Sequence, residues 1–235
     1  MDMLADLLRV LPWPDWLALA LFFAGWVGYA RFARARSTVQ PSLLALTNRE
    51  RRRWMLQTTL RDNRVIDRVV VQNLSTSPSF FASTTILIIG GLLAVLSTTE
   101  KASELVREIP FAARTSLLVF DLKVVLLTSI FVYAFFGFTW SLRQYSFGAI
   151  LVAAAPEHRQ FEDEAARQAF ADRAGRVVGL AAETFNDGLR AYYMAFAVCA
   201  WFLSPWVFVA ATAGVVFILY QREFRSDVLA VLRDD

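Results

Sequence analysis

The chain has 235 residues, 24 Lys+Arg against 21 Asp+Glu, a formal net charge of +3, and is 57% hydrophobic with 19% charged residues. Soluble domains lie nearer half apolar and a quarter charged, so this composition points to a membrane protein. One Cys (Cys199) and one His (His158) exclude an intramolecular disulfide framework, a Cys/His zinc site within one chain and a bis-His haem, and no phosphate-loop, dinucleotide, zincin or nucleophile-elbow motif occurs.

A spanning helix needs roughly 20 mostly apolar residues to cross about 30 Å of hydrocarbon. The first such segment covers about 13–33. Its upstream flank is acidic (Asp2, Asp6, Asp15 against Arg9), and its basic cluster (Arg31, Arg34, Arg36) follows the apolar run. That order fits an anchor inserted with its N-terminus outward rather than a cleavable signal peptide.

An amphipathic helix is predicted over about 48–74, where no Pro or Gly occurs between Thr47 and Leu74. Thr47 or Asn48 caps it, Arg51-Arg52-Arg53 give it a basic face, and Met55, Thr59, Asp62 and Ile66 share one stripe. Trp54 is a candidate interfacial anchor. Ser77-Pro78 reads as a break before the second span, about 79–97, which carries no charge but includes Ser83, Thr84 and Thr85. Hydroxyls there bond preceding carbonyls or a neighbouring helix, or else line a pore.

The third span, about 115–140, carries Asp121 and Lys123. Ionisable residues within a span are functional candidates. In the structural reading Lys123 snorkels to the interface and Asp121 pairs with a neighbour such as Arg114; in the other, Asp121 lines a water-filled path for an ion or proton. A second helix is predicted over about 158–189, with Glu162-Asp163-Glu164 near its start and the small residues Ala171, Gly175 and Gly179 on a stripe that admits a close neighbour. It can run directly into the fourth span, about 190–220, which is interrupted by Ser204-Pro205. One kinked helix is the favoured reading of that span; a re-entrant hairpin with the C-terminus inside is the alternative.

Arginine is concentrated in the loops 34–78 and 141–189, which are therefore expected to be cytoplasmic. The predicted fold is all-α: a polytopic helix bundle of four spans plus two long amphipathic cytoplasmic helices, in one domain, at a membrane that alanine- and arginine-rich composition suggests is a bacterial inner membrane. Polar residues group as candidates for a pathway or an inner polar network: Asn63, Arg64, Asp67, Asn73, Ser83, Asp121, Lys123, Arg143, Asn186 and Arg190. No nucleophile–base pair or metal-ligand spacing is present, so no enzyme activity, cofactor or metal is expected.

Several segments also resemble, in order, a known family. They are Arg61-Asp62-Asn63-Arg64-Val65-Ile66-Asp67, Gln72-Asn73-Leu74, Phe80-Phe81-Ala82-Ser83-Thr84, Trp140-Ser141-Leu142-Arg143-Gln144-Tyr145, Ala154-Ala155-Pro156 and Asn186-Asp187-Gly188-Leu189-Arg190-Ala191-Tyr192-Tyr193. They are similar to the bacterial and plant membrane family catalogued as domain of unknown function 599, over about residues 10–225. The resemblance implies a multi-span protein of unassigned activity and carries over no catalytic or ligand residue.

Two functions follow as expectations. One is an oligomeric channel or transporter for a small ion or solute, its subunits meeting through Ala171/Gly175/Gly179 and Ala24/Gly28. The other is a non-enzymatic scaffold docking a membrane-protein partner through its cytoplasmic helices. A lipid-acting enzyme is the weaker third. The lipid bilayer is the expected surrounding, and nucleic acid is not an expected partner.

Overall fold

The computed structural model describes residues 11–36, 42–108 and 115–233. Among these the chain is helical with no strand: α1 Trp13–Arg36, α2 Leu43–Leu60, α3 Val65–Ser97, α4 Thr99–Glu108, α5 Leu117–Ala153, a 3-10 turn at His158–Gln160, α6 Glu164–Ala200, α7 Pro205–Phe224 and α8 Asp227–Val231. Four helices are long and apolar enough to cross a membrane: Trp13–Arg36, Val65–Ser97, Leu117–Ala153 and the stretch Pro205–Val231. Most of their surface is apolar yet unburied within the chain, as a lipid-facing helix requires. The protein is thus an all-α integral membrane protein.

Its contacts cluster into two compact units. Unit 1 comprises residues 1–39, 85–133 and 190–222; unit 2 comprises 40–84, 134–189 and 223–235.

Unit 2 packs α2 and the first part of α3 against the second half of α5 and most of α6. Its core holds Met55, Val71, Tyr145, Val152, Ala174, Val178 and Ala181. Glycine permits the closest approaches: a Cβ on Gly175 would lie 2.8 Å from the Arg52 Cα, and one on Gly188 would lie 2.6 Å from the Phe138 ring. α8 packs on α2, and Glu223, near the end of α7, accepts the Leu44 N–H at 3.3 Å.

Unit 1 is built on aromatic contacts. Phe22 and Trp201 both pack on Phe208, with ring centroids 5.1 and 5.4 Å apart. Tyr192 sets its ring edge-on to Phe131 at 5.0 Å and shares a 2.6 Å hydrogen bond with Thr85.

Three helix boundaries differ from the sequence reading. The predicted helix 48–74 is two, since Arg61–Arg64 turn the chain between α2 and α3. Met55 and Thr59 are accordingly buried while Ile66, expected on the same stripe, is 69% exposed. Pro78 does not break α3; it lies inside it. The fourth segment is not one kinked helix. α6 ends at Ala200, residues 201–204 turn, and α7 returns antiparallel, so that Arg222 donates to the Tyr193 hydroxyl at 2.5 Å. Ser204-Pro205 is a helix start: the Ser204 hydroxyl accepts the Val207 N–H at 3.1 Å, and Pro205 occupies the first helical position, where a missing N–H costs nothing.

Candidate functional site

Two charges of unit 1, Lys123 and Asp15, meet at the turn between α6 and α7. Lys123 is 1% exposed, and its ammonium donates to the Trp201 carbonyl at 2.9 Å. That carbonyl lies just past the end of α6, where unpaired C=O groups and the helix dipole attract a cation. The ammonium also lies over the Trp201 and Phe202 rings, 5.1 and 5.7 Å from their centroids. The Trp201 indole N–H donates to buried Asp15 at 2.5 Å. Lys123 therefore does not snorkel; it ties α5 to the α6–α7 turn. Asp121 accepts from the Thr99 hydroxyl at 2.7 Å, at the start of α4. Its expected partner Arg114 lies outside the described residues.

In unit 2 the corner between α2 and α3 is built in a related way. Asp67 is fully buried, and its Oδ1 accepts from the Trp54 indole at 2.6 Å, the Thr58 hydroxyl at 3.0 Å and Arg61 at 2.7 Å. Trp54, expected as an interfacial anchor, is half-buried and committed to this carboxylate. Asn63 accepts the Val65 N–H at 3.0 Å and caps the start of α3. Arg64 spreads its guanidinium over the carbonyls of Ala155 and Pro156, just past the end of α5. The segments 61–67 and 154–156 are thus two halves of one joint.

A second polar group of unit 2 links α2 to α6. Asn48 donates to Glu183 at 2.8 Å, and Arg51 donates to the Asn48 side chain at 2.8 Å. Burial draws the Arg51 guanidinium below its ordinary pKa, against the opposing pull of Tyr145 and Glu183. The sequence reading passed over Asn48 and Glu183 as a pair. Their signal was Gly179, whose missing Cβ leaves room for the Asn48 amide. The stripe Gly175/Gly179, expected to be available to a second subunit, is occupied by α2 of the same chain.

The other predicted site residues are dispersed. Asn73 and Ser83 are exposed along α3. Arg143 is exposed on α5, with its guanidinium 5.9 Å from the centre of the Phe147 ring. Asn186 is half-buried on α6, and Arg190 lies over the Tyr29 ring at 5.8 Å.

Unit 2 also carries a cleft between the start of α3 and the end of α5. Cavities of about 470 and 190 Å³ share Arg68 and Ala149 in their walls. The first is completed by Arg64, Val65, Ile150 and Val152, the second by Gln72, Ser75, Tyr145 and Ser146. Val65 and Ile150 in its wall are exposed, as are Ile66 and Val69 on the same first turns of α3. Among the described residues no group of three or more His, Cys, Asp or Glu is placed to hold a metal ion.

These features define a helical integral membrane protein in which Lys123 is tied to the end of α6, Asp15 to the Trp201 indole and Asp121 to the start of α4. The chain belongs to the family described as "Protein of unknown function, DUF599", whose model matches residues 17–228. No curated protein and no solved structure matches it.

Proposed function

We propose that the protein is a non-enzymatic membrane anchor that docks a partner through the cleft of unit 2. The observation that carries this reading is an exposed apolar rim beside the arginines of the cleft. Val65 lies fourteen residues before Ser79, the start of the second span expected from the sequence, which is about 21 Å of helix at 1.5 Å per residue. Water-exposed apolar patches framed by charge mark interaction surfaces. Arg68 lines both cavities, and Arg64 lines one, so the partner is an acidic amphipathic helix with its apolar stripe in the cleft.

The orientation belongs to the same proposal. The arginines Arg49, Arg51, Arg52, Arg53, Arg61, Arg64 and Arg68 favour a cytoplasmic side for unit 2 and an external N-terminus. In this reading the apolar end of α6 runs outward and α7 returns, which brings the described end of the chain back to the cytoplasmic side. α7 has 20 residues, enough to cross about 30 Å of hydrocarbon alone.

What favours docking over transport is how the charges of unit 1 are spent. Lys123 and Asp15 meet at Trp201, and Asp121 is engaged by Thr99. The test uses the full chain in nanodiscs and a fluorescent acidic amphipathic peptide, compared with its charge-reversed counterpart. Saturable, salt-sensitive binding of the acidic peptide that Arg68→Glu abolishes supports docking. Equal binding of the two peptides overturns it. So does an ion flux in liposomes that Asp121→Asn abolishes, which would restore the channel.

A further inference from the structure

Unit 1 holds a feature that docking through unit 2 does not use. A cavity of about 640 Å³ lies between α1 and α7, lined by Leu21, Ala24, Gly28, Phe32, Ala213 and Phe217 among others. Its lining is apolar, with small residues on both walls. Gly25 forms its floor, where a Cβ would touch Thr212 at 3.4 Å, whereas a Cβ on Gly28 would meet no atom within 4 Å and would project into open space.

The two helices run in parallel, and their ends differ. At one end Trp13 and Trp206 meet edge to face at 6.4 Å, as aromatic side chains do at a membrane–water boundary. At the other, Phe32 and Tyr220 approach at 6.3 Å, and arginines follow. Arg36 lies over the Phe32 ring at 5.4 Å, and Arg222 comes two residues after Tyr220. The groove runs from Leu21 to Phe32, about 16 Å of helix. That is close to half of the roughly 30 Å hydrocarbon thickness, and it is the half on the arginine side. A partner helix would need the full thickness; one acyl chain needs one leaflet.

We propose that this groove is a binding site for one anionic phospholipid of the arginine-side leaflet. One acyl chain lies between α1 and α7 over Gly25 and Gly28, and the phosphate meets Arg36 and Arg222. Guanidinium groups suit phosphate: that of Arg36 lies over the Phe32 ring, and that of Arg222 lies over the Tyr193 ring and donates to its hydroxyl, with further N–H groups for a phosphate. The site depends on membrane insertion and not on the docking proposed for unit 2, so either can fail alone.

The test is native mass spectrometry of the full chain released from bilayers of phosphatidylglycerol and phosphatidylcholine. One phosphatidylglycerol should remain on each wild-type chain after mild delipidation. Gly28→Leu and, from the opposite wall, Ala213→Leu should lose it while melting at the wild-type temperature; the second keeps the test valid should the first misfold. Arg36→Gln and Arg222→Gln should each weaken retention about fivefold, the effect of one arginine beside an anionic headgroup. Retention of lipid by both groove-filling variants overturns the proposal, as does equal retention of phosphatidylcholine. A wild-type dimer that Gly28→Leu splits into monomers also overturns it, by making a second copy the occupant.

Discussion

Each unit contains a corner in which a buried aspartate accepts from a tryptophan indole and a cation satisfies carbonyls past the end of a long helix. In unit 1 these are Asp15, Trp201 and Lys123; in unit 2 they are Asp67, Trp54 and Arg64. The difference lies in the access of charge to water. Lys123 is almost wholly enclosed, and its compact ammonium is met by one carbonyl and two ring faces. In unit 2 the charge opposite Asp67 comes from Arg61, whose side chain is 44% exposed, while Arg64 forks across two carbonyls. A corner enclosed by packed helices must close its charges on itself, whereas one open to water can share them with solvent. The pattern also explains why these charges are not free for a pathway: each joins segments distant in sequence.

The comparison is broken most directly by removing a carboxylate. Asp67→Ala leaves the indole of Trp54 without its acceptor and the half-exposed guanidinium of Arg61 without its carboxylate, while the Thr58 hydroxyl keeps the Trp54 carbonyl. Losing hydrogen bonds to a buried charged group costs about 3 kcal/mol. The loss should appear as a large fall in denaturation midpoint in detergent, with proteolysis at Arg61–Arg64 as its local sign. An Asp67→Ala chain that is cut there no faster than wild type would remove the joint from the account.

Lys123→Met is expected to cost somewhat less, about 2 kcal/mol, because an apolar side chain of similar length fills the space but leaves the buried Trp201 carbonyl without its donor and removes the positive charge nearest Asp15. Adding Asp15→Asn should then recover part of the loss, since the uncompensated charge goes too. A double-mutant cycle on unfolding reads that coupling. If the two losses simply add, Lys123 and Asp15 are independent and the likeness between the corners is superficial.

Much of the fold was legible because hydrophobic runs of membrane length leave few alternatives. The class, the membrane location and the continuation of α6 from a polar start into an apolar end were all readable from composition and periodicity. Pro78 and Pro205 were harder. Each follows a serine, yet one lies inside a helix and the other starts one. The distinction depends on what surrounds the freed backbone groups, which sequence spacing does not encode. The candidate residues were legible as polar groups, but the partners they meet were not. Arg64 meets carbonyls ninety-one and ninety-two positions away, and Asn48 meets Glu183 across 135. Such pairings are set by how helices pack. Only the glycines that make room for them leave a trace in the sequence.

Gly175 tests whether those close approaches hold unit 2 as tightly as its polar corner does. A Cβ there would stand 2.8 Å from the Arg52 Cα, a backbone atom that cannot swing aside as a side-chain tip can. Gly175→Ala should therefore cost about 1–3 kcal/mol, the usual penalty for forcing an extra carbon into a packed contact. Gly28→Ala, whose Cβ meets nothing within 4 Å, is the matched control and should leave the midpoint unchanged or slightly raised, alanine being the better helix former. Asp121→Asn should have the smallest effect. An amide oxygen still accepts from Thr99, so only the added strength of a charged acceptor is lost, about 1 kcal/mol or less. Asp121→Ala removes the acceptor altogether and should cost more than Asp121→Asn. Equal effects of the two would mean that Thr99 finds another acceptor and that Asp121 does not hold the start of α4. An asparagine variant as damaging as the alanine one in ion flux, but not in stability, would instead return Asp121 to a transport pathway.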